Sequence, residues 1–145
     1  MITGWFDYGH PYVTGVIQIA EYGIAGPVDF MVDTGATFTC IHPKDGFLLA
    51  LPYDRLGGEV CVDSGGGKVK RLTVTAVVSF RDDDHLPVYR YEIPVLVAPY
   101  DEVSNDLPSV LGQDVLGRWK MVHDRPSGTL EFDVHSADST DVDDD

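Results

Sequence analysis

The sequence predicts an all-β domain, a barrel or a sandwich, and three observations predict it. Short runs rich in Val, Ile, Thr and aromatic residues recur along the chain, several alternating with period two. Clusters of glycine, proline and aspartate separate them. Only two segments carry a helical pattern.

The runs follow in order. Residues 12–19 hold Val13, Val16, Ile17 and Ile19 around Gly15. Residues 28–32 form a short apolar strand that ends at Asp33. Residues 69–80 read as one long strand with a solvated face. Residues 89–97 put Tyr91, Ile93, Val95 and Val97 on one face, and Pro94 marks an edge or a bulge there. Residues 130–132 make a short closing strand. Tyr22-Gly23, Gly26-Pro27, Gly57-Gly58, Gly65-Gly66-Gly67, Asp82-Asp83-Asp84 and Ser127-Gly128 are the turn signals between runs. The first helical segment, 43–51, opens with Pro43 at its first position, where the missing N–H costs nothing. The second, 113–119, opens with Gln113-Asp114 and carries Val115, Leu116 and Trp119 on one side.

A chain of 145 residues fits one domain, and its 43% hydrophobic content is that of a globular protein. No apolar run approaches the roughly 18 residues of a membrane helix. The first ten residues lack a basic region followed by an apolar stretch, so the expected location is cytoplasmic, with no membrane partner. A net charge of −14 argues against nucleic acid as a partner, because phosphates are held by clustered Lys and Arg. The one basic cluster, Lys68-Val69-Lys70-Arg71, reads as a solvated strand face. Cys40 and Cys61 make no disulfide framework, and Cys40, within Phe38-Thr39-Cys40-Ile41, is expected as a buried free thiol. None of the five histidines has metal-binding spacing with another, and no metal or cofactor is expected. Residues 133–145 contain six acids and no Lys or Arg. They are expected to form a disordered tail behind a folded domain of residues 1–132.

The chemistry concentrates at Phe30-Met31-Val32-Asp33-Thr34-Gly35-Ala36-Thr37. A carboxylate at the end of an apolar strand costs several kcal/mol to bury unless it is hydrogen-bonded or paired. Gly35 lets backbone amides approach that carboxylate closely, and Thr34 offers a hydroxyl to brace a neighbouring loop. A plain strand-ending turn has the same composition. The tripeptide Asp-Thr-Gly arises by chance in about one chain in thirty of this length, so the surrounding pattern has to decide.

That pattern resembles the retropepsin-like family of aspartic peptidases, over nearly the whole chain from about Tyr12 to Phe132. Asp33-Thr34-Gly35-Ala36 looks like the family's catalytic loop. Gly65-Gly66-Gly67, leading into the long strand, stands where the family carries its flap. Val110-Leu111-Gly112 and the helix after it look like the hydrophobic-hydrophobic-Gly motif that packs beside the loop. Leu107-Pro108-Ser109 and residues 124–132 resemble cellular and bacterial members.

The resemblance implies a closed β-barrel of the acid protease fold with one short C-terminal helix. It implies an aspartic endopeptidase acting on a peptide or protein substrate. Asp33, Thr34 and Gly35 would be catalytic, and Ala36, Thr37, Gly65, Gly66 and Gly67 would bind substrate. Val110, Leu111 and Gly112 would support the site. Two carboxylates about 3 Å apart share one proton, one acting as base on water and the other as acid. With a single Asp-Thr-Gly, the second Asp33 would come from a second copy across a two-fold axis, with the Thr34 residues hydrogen-bonded across it.

The chain departs from the family pattern in places. No apolar residue separates the flap glycines, and Thr37 stands where many retroviral members have Asp, paired with an Arg that Gln113-Asp114 does not supply. The competing expectation is a retropepsin-fold module for dimerisation or peptide binding with little or no catalysis.

Overall fold

A computed structural model describes residues 1–64, 66–100 and 105–141. The chain opens with β1 (Ile2–Thr3), β2 (Trp5–Asp7) and β3 (His10–Ile19), then a 3-10 turn and β4 (Ile24–Val32). β5 (Cys40–Ile41) and α1 (Pro43–Leu48) follow, then β6 (Val60–Ser64), β7 (Gly67–Arg81) and β8 (Val88–Val97). The remainder is β9 (Val110–Leu111), α2 (Gln113–Leu116), β10 (Trp119–Asp124), β11 (Thr129–Val134) and β12 (Ser139–Asp141).

The pairings decide between barrel and sandwich. β3 pairs with β4, β4 with β9, β9 with β5, β5 with β8, β8 with β7, and β7 back with β3. The circuit closes on itself, which leaves these strands no open edge along it. β2, β6 and β12 attach outside it, to β3, β7 and β8 respectively. A separate sheet, β1-β11-β10, lends Ile2, Trp119, Leu130 and Phe132 to the same core.

Alternation fills the barrel. β8 turns Tyr91, Ile93, Val95 and Val97 inward, as its sequence predicts, and β7 does the same with Val74, Ala76, Val78 and Phe80. Pro94 lies between the stretch of β8 that pairs with β12 and the stretch that pairs with β5, where no strand needs its missing N–H. Gly15 interrupts β3 for a packing reason: a Cβ there would come within 2.8 Å of Phe80 and 3.2 Å of Phe30. Phe80 stacks edge-on against Trp119 at 4.8 Å, and Trp119 Nε1 donates to the Tyr91 hydroxyl at 2.7 Å.

Three expectations are corrected. Among the described residues there are two short helices, α1 and α2, at the two segments whose sequence carries a helical pattern. α1 stops at Leu48 because Ala50 adopts a left-handed φ of 59°. α2 stops at Leu116, since Trp119 enters β10 and is buried against Phe80 and Phe132. The segment expected as a disordered tail is ordered through Asp141. Asp133 and Val134 extend β11, and residues 139–141 pair with β8. Two of its acids find cations: Asp138 takes Arg118 at 2.7 Å, and Asp141 takes Arg90. Residues 142–145 lie outside the described residues.

Candidate active site

Asp33 is positioned by backbone on both sides. β4 runs parallel to β9 with Met31 beside Val110 and Val32 beside Leu111, and the Asp33 amide extends that ladder to the Leu111 carbonyl at 3.1 Å. Beyond it the chain turns sharply, Ala36 N–H donating to the Asp33 carbonyl at 3.1 Å. The half-buried carboxylate accepts from the Gly35 amide through Oδ1 at 3.0 Å. A Cβ on Gly35 would press to 3.3 Å of that oxygen, so glycine keeps the amide–carboxylate approach open.

The loop after Asp33 is clamped to α2. Gln113 and Asp114 amides donate to the carbonyls of Ala36 and Thr37 at 2.8 and 3.1 Å, and Gln113 Nε2 donates to the Thr34 carbonyl at 3.0 Å. Asp114 does not cap its own helix. Its carboxylate takes the Thr39 amide at 2.9 Å and the Thr39 hydroxyl at 2.7 Å. That hydroxyl in turn accepts from Gly112 N–H at 3.2 Å. Gly112 has no room for a side chain, because a Cβ would meet the Phe38 carbonyl carbon at 2.6 Å.

Asp33 opens into a cleft of about 600 Å³ whose other wall is the β6–β7 hairpin. Ala36, Thr37 and Phe38 line the loop side, Cys40 and Leu96 the floor, and Val62 and Val69 the hairpin side. These two valines bring to the cleft the apolar contact that the glycine-rich hairpin end lacks. Burial pushes the Cys40 thiol up in pKa, and the neighbouring Arg71 guanidinium opposes it. Both cysteines are free, Cys40 buried as expected and Cys61 exposed. Among the described residues no group of His, Cys, Asp and Glu is arranged to hold a metal ion.

Of the residues singled out in the sequence, Asp33, Gly35, Ala36, Thr37 and Val110 meet in the cleft. Thr34 is exposed at the turn. Leu111 and Gly112 sit behind the loop as support, Leu111 fully buried. Gly66 and Gly67 are at the exposed hairpin end, Gly67 with φ +120°, and do not line the cleft. Gly65 lies outside the described residues. Thr39 and Asp114 were not singled out as a pair. Asp114 was legible only as an acid in the first turn of a helix, and nothing in sequence tells which way such a carboxylate points.

Arg71 corrects the reading of the basic cluster. Lys68 and Lys70 are exposed, whereas Val69 and Arg71 share the hairpin face over the cleft.

Comparison with known proteins agrees with this geometry. No curated protein matches the sequence. The crystal structure of a retropepsin-like aspartic protease from Rickettsia conorii superposes with a TM-score of 0.58 at 22% identity, over 90% of this chain and 86% of that one, a likeness of fold. The aspartyl protease family model matches residues 19–115, more than half of the chain and the stretch holding Asp33, the hairpin, β9 and the start of α2. With the family's model spanning the site and the family's barrel around it, the chain belongs to the aspartyl protease family as a retropepsin-like member.

Proposed function

We propose that this chain is an aspartic endopeptidase that works as a homodimer, hydrolysing peptide bonds with water activated between Asp33 and its copy. The observation that carries this reading is the placement of Asp33: a half-buried carboxylate held by the Gly35 amide, facing a cleft of about 600 Å³. Family membership supports hydrolysis of peptide bonds as the chemistry. One chain brings one such loop, so the reading needs a second copy related by a two-fold axis. Thr34 and Gly35 are exposed at the turn, where a second copy would meet them. Across that axis one Asp33 is ionised and takes a proton from water. The other is protonated and donates to the substrate carbonyl, and the roles exchange as the tetrahedral intermediate collapses.

No helix among the described residues is long and apolar enough to cross a membrane. A cytoplasmic setting is part of the proposal, consistent with two free thiols. The test is digestion of a diverse peptide mixture by the purified chain, read by mass spectrometry. New termini formed by internal cleavage are expected. Binding of peptides without any cleavage would instead favour a binding module on the same fold.

A further inference from the structure

Among the described residues, Arg71 is the one Lys or Arg that lines the cleft. The chain has 24 acids against 10 basic residues, so a cation placed in a cleft would readily meet a carboxylate of its own. Arg71 does not. Among the described residues no carboxylate lies within ion-pair distance of it, and its Nη1 donates to the Lys70 carbonyl at 2.9 Å. Lys70, its neighbour, points outward and pairs with Glu59 at 3.3 Å. The guanidinium extends over the cleft floor to Cys40, whose thiol feels its charge. It is half-buried, which strengthens any charge-assisted contact it makes.

Among the described residues, the carboxylates that line this cleft are Asp33 and Asp63. Asp63 is three residues beyond Val60, the register partner of Arg71, toward the hairpin end. At about 3.3 Å per residue that is roughly 10 Å along the strand, several times the length of a direct guanidinium–carboxylate contact. A ligand carboxylate placed at Arg71 therefore feels the guanidinium far more than it feels Asp63. Phe38, Leu96 and Val62 make the surrounding wall apolar, so the acid would be recognised beside apolar side chains.

We propose that Arg71 is a specificity residue that selects peptides carrying a carboxylate at one fixed position in the cleft, an Asp or Glu side chain in preference to a chain terminus. The inference rests on the peptidase reading of the same cleft. An internal side chain is favoured because Arg71 sits on the base of the hairpin that borders the Asp33 cleft, and a peptide crossing that cleft continues past it on both sides. A guanidinium fork binds a carboxylate through two parallel N–H donors, which fixes position as well as charge.

The test measures kcat/KM for matched peptides with Glu, Gln or Lys at each position around the cleaved bond, with free and with amidated C-termini. Ratios are taken within each variant, so any general loss of activity cancels. Wild type should prefer Glu over Gln at one position by about 10- to 100-fold, the scale of a hydrogen bond to a charged group. The preference should lie mainly in KM and survive C-terminal amidation. Arg71→Gln should flatten it, Arg71→Lys should keep part of it, and Arg71→Glu should turn it toward Lys. Cleavage with no position preferring Glu, or an unchanged ratio in Arg71→Glu, overturns the proposal and leaves the peptidase reading intact. A preference abolished by amidation overturns the side-chain assignment in favour of a terminal carboxylate. The same peptides are titrated calorimetrically into Asp33→Asn. Glu-selective binding without cleavage by wild type would uphold Arg71 and sink the peptidase, and no peptide binding at all would sink both.

Discussion

The hydroxyl of Thr39 lies 2.7 Å from Asp114 Oδ1, and the Thr39 amide lies 2.9 Å from Oδ2, so one side chain of α2 holds the loop that follows Asp33 at two points. Thr39 is fully buried, and its oxygen also receives the Gly112 amide. Three polar groups thus satisfy one another, and for the buried Thr39 hydroxyl and Gly112 amide water is no alternative.

Thr39→Val keeps the shape and removes the oxygen. It leaves the Gly112 amide without its acceptor and the Asp114 carboxylate with one donor fewer. A loss of about 1–3 kcal/mol is expected, the cost of leaving a buried polar group unmade. Urea unfolding measures it. A variant within about 0.3 kcal/mol of wild type would show that water or a shifted loop replaces these bonds.

Gly112→Ala puts a methyl group against backbone, 2.6 Å from the Phe38 carbonyl carbon and 2.7 Å from its oxygen. Backbone cannot rotate away as a side-chain tip does, so residues 36–38 must move. Overpacking of this kind costs about 1–3 kcal/mol. Peptide cleavage should fall by more than the loss of folded protein explains, because those residues border the cleft. Cleavage that tracks the folded fraction alone would separate this glycine from the site.

Acid should release the C-terminal segment. Arg118, at 2.7 Å, holds the Asp138 carboxyl below the ordinary carboxylate range, helped by the Glu92 amide at 2.7 Å, and weakly opposed by burial. A carboxyl more acidic in the folded than in the unfolded chain stabilises fully above the unfolded value, near about 3.9. That contribution disappears as pH falls through the lower folded value. The pair is partly solvated, so it is worth at most about 1 kcal/mol. Wild type should melt above Asp138→Asn at neutral pH, with the gap closing only below about pH 4. A gap that stays constant down to about pH 2 would mean that the charge of Asp138 plays no part.

Most of the barrel was legible because its strands bury one face, and burial imposes the period-two pattern seen in β3, β7 and β8. β1 and β2 escaped notice because strands of two and three residues are too short to show a period. The hairpin joining β2 to β3 turns at Tyr8-Gly9, both at positive φ, a weaker signal than Asn-Gly. The order of residues 135–141 was hidden for a different reason. It depends on Arg90 and Arg118, more than a dozen residues away in sequence, which only the fold brings to Asp138 and Asp141. The Asp33 loop was legible because its chemistry is local, whereas the Thr39–Asp114 clamp spans 75 residues.

Dilution addresses the proposed dimer. If each site needs Asp33 from two copies, specific activity must fall once the chain is diluted below its dimer dissociation constant. Sedimentation at the same concentrations should show monomer appearing as activity is lost. An active monomer would exclude the symmetric pair of carboxylates.

Asp33→Asn is the most direct measurement. The side chain keeps its shape and an oxygen that can still accept from the Gly35 amide, but it can no longer share a proton with its copy. Cleavage of a peptide substrate should drop by about 10²–10⁴, the contribution of one acid–base group, while the melting temperature stays close to wild type. A variant that is folded and cleaves as fast as wild type would contradict the assignment of Asp33 as the catalytic carboxylate.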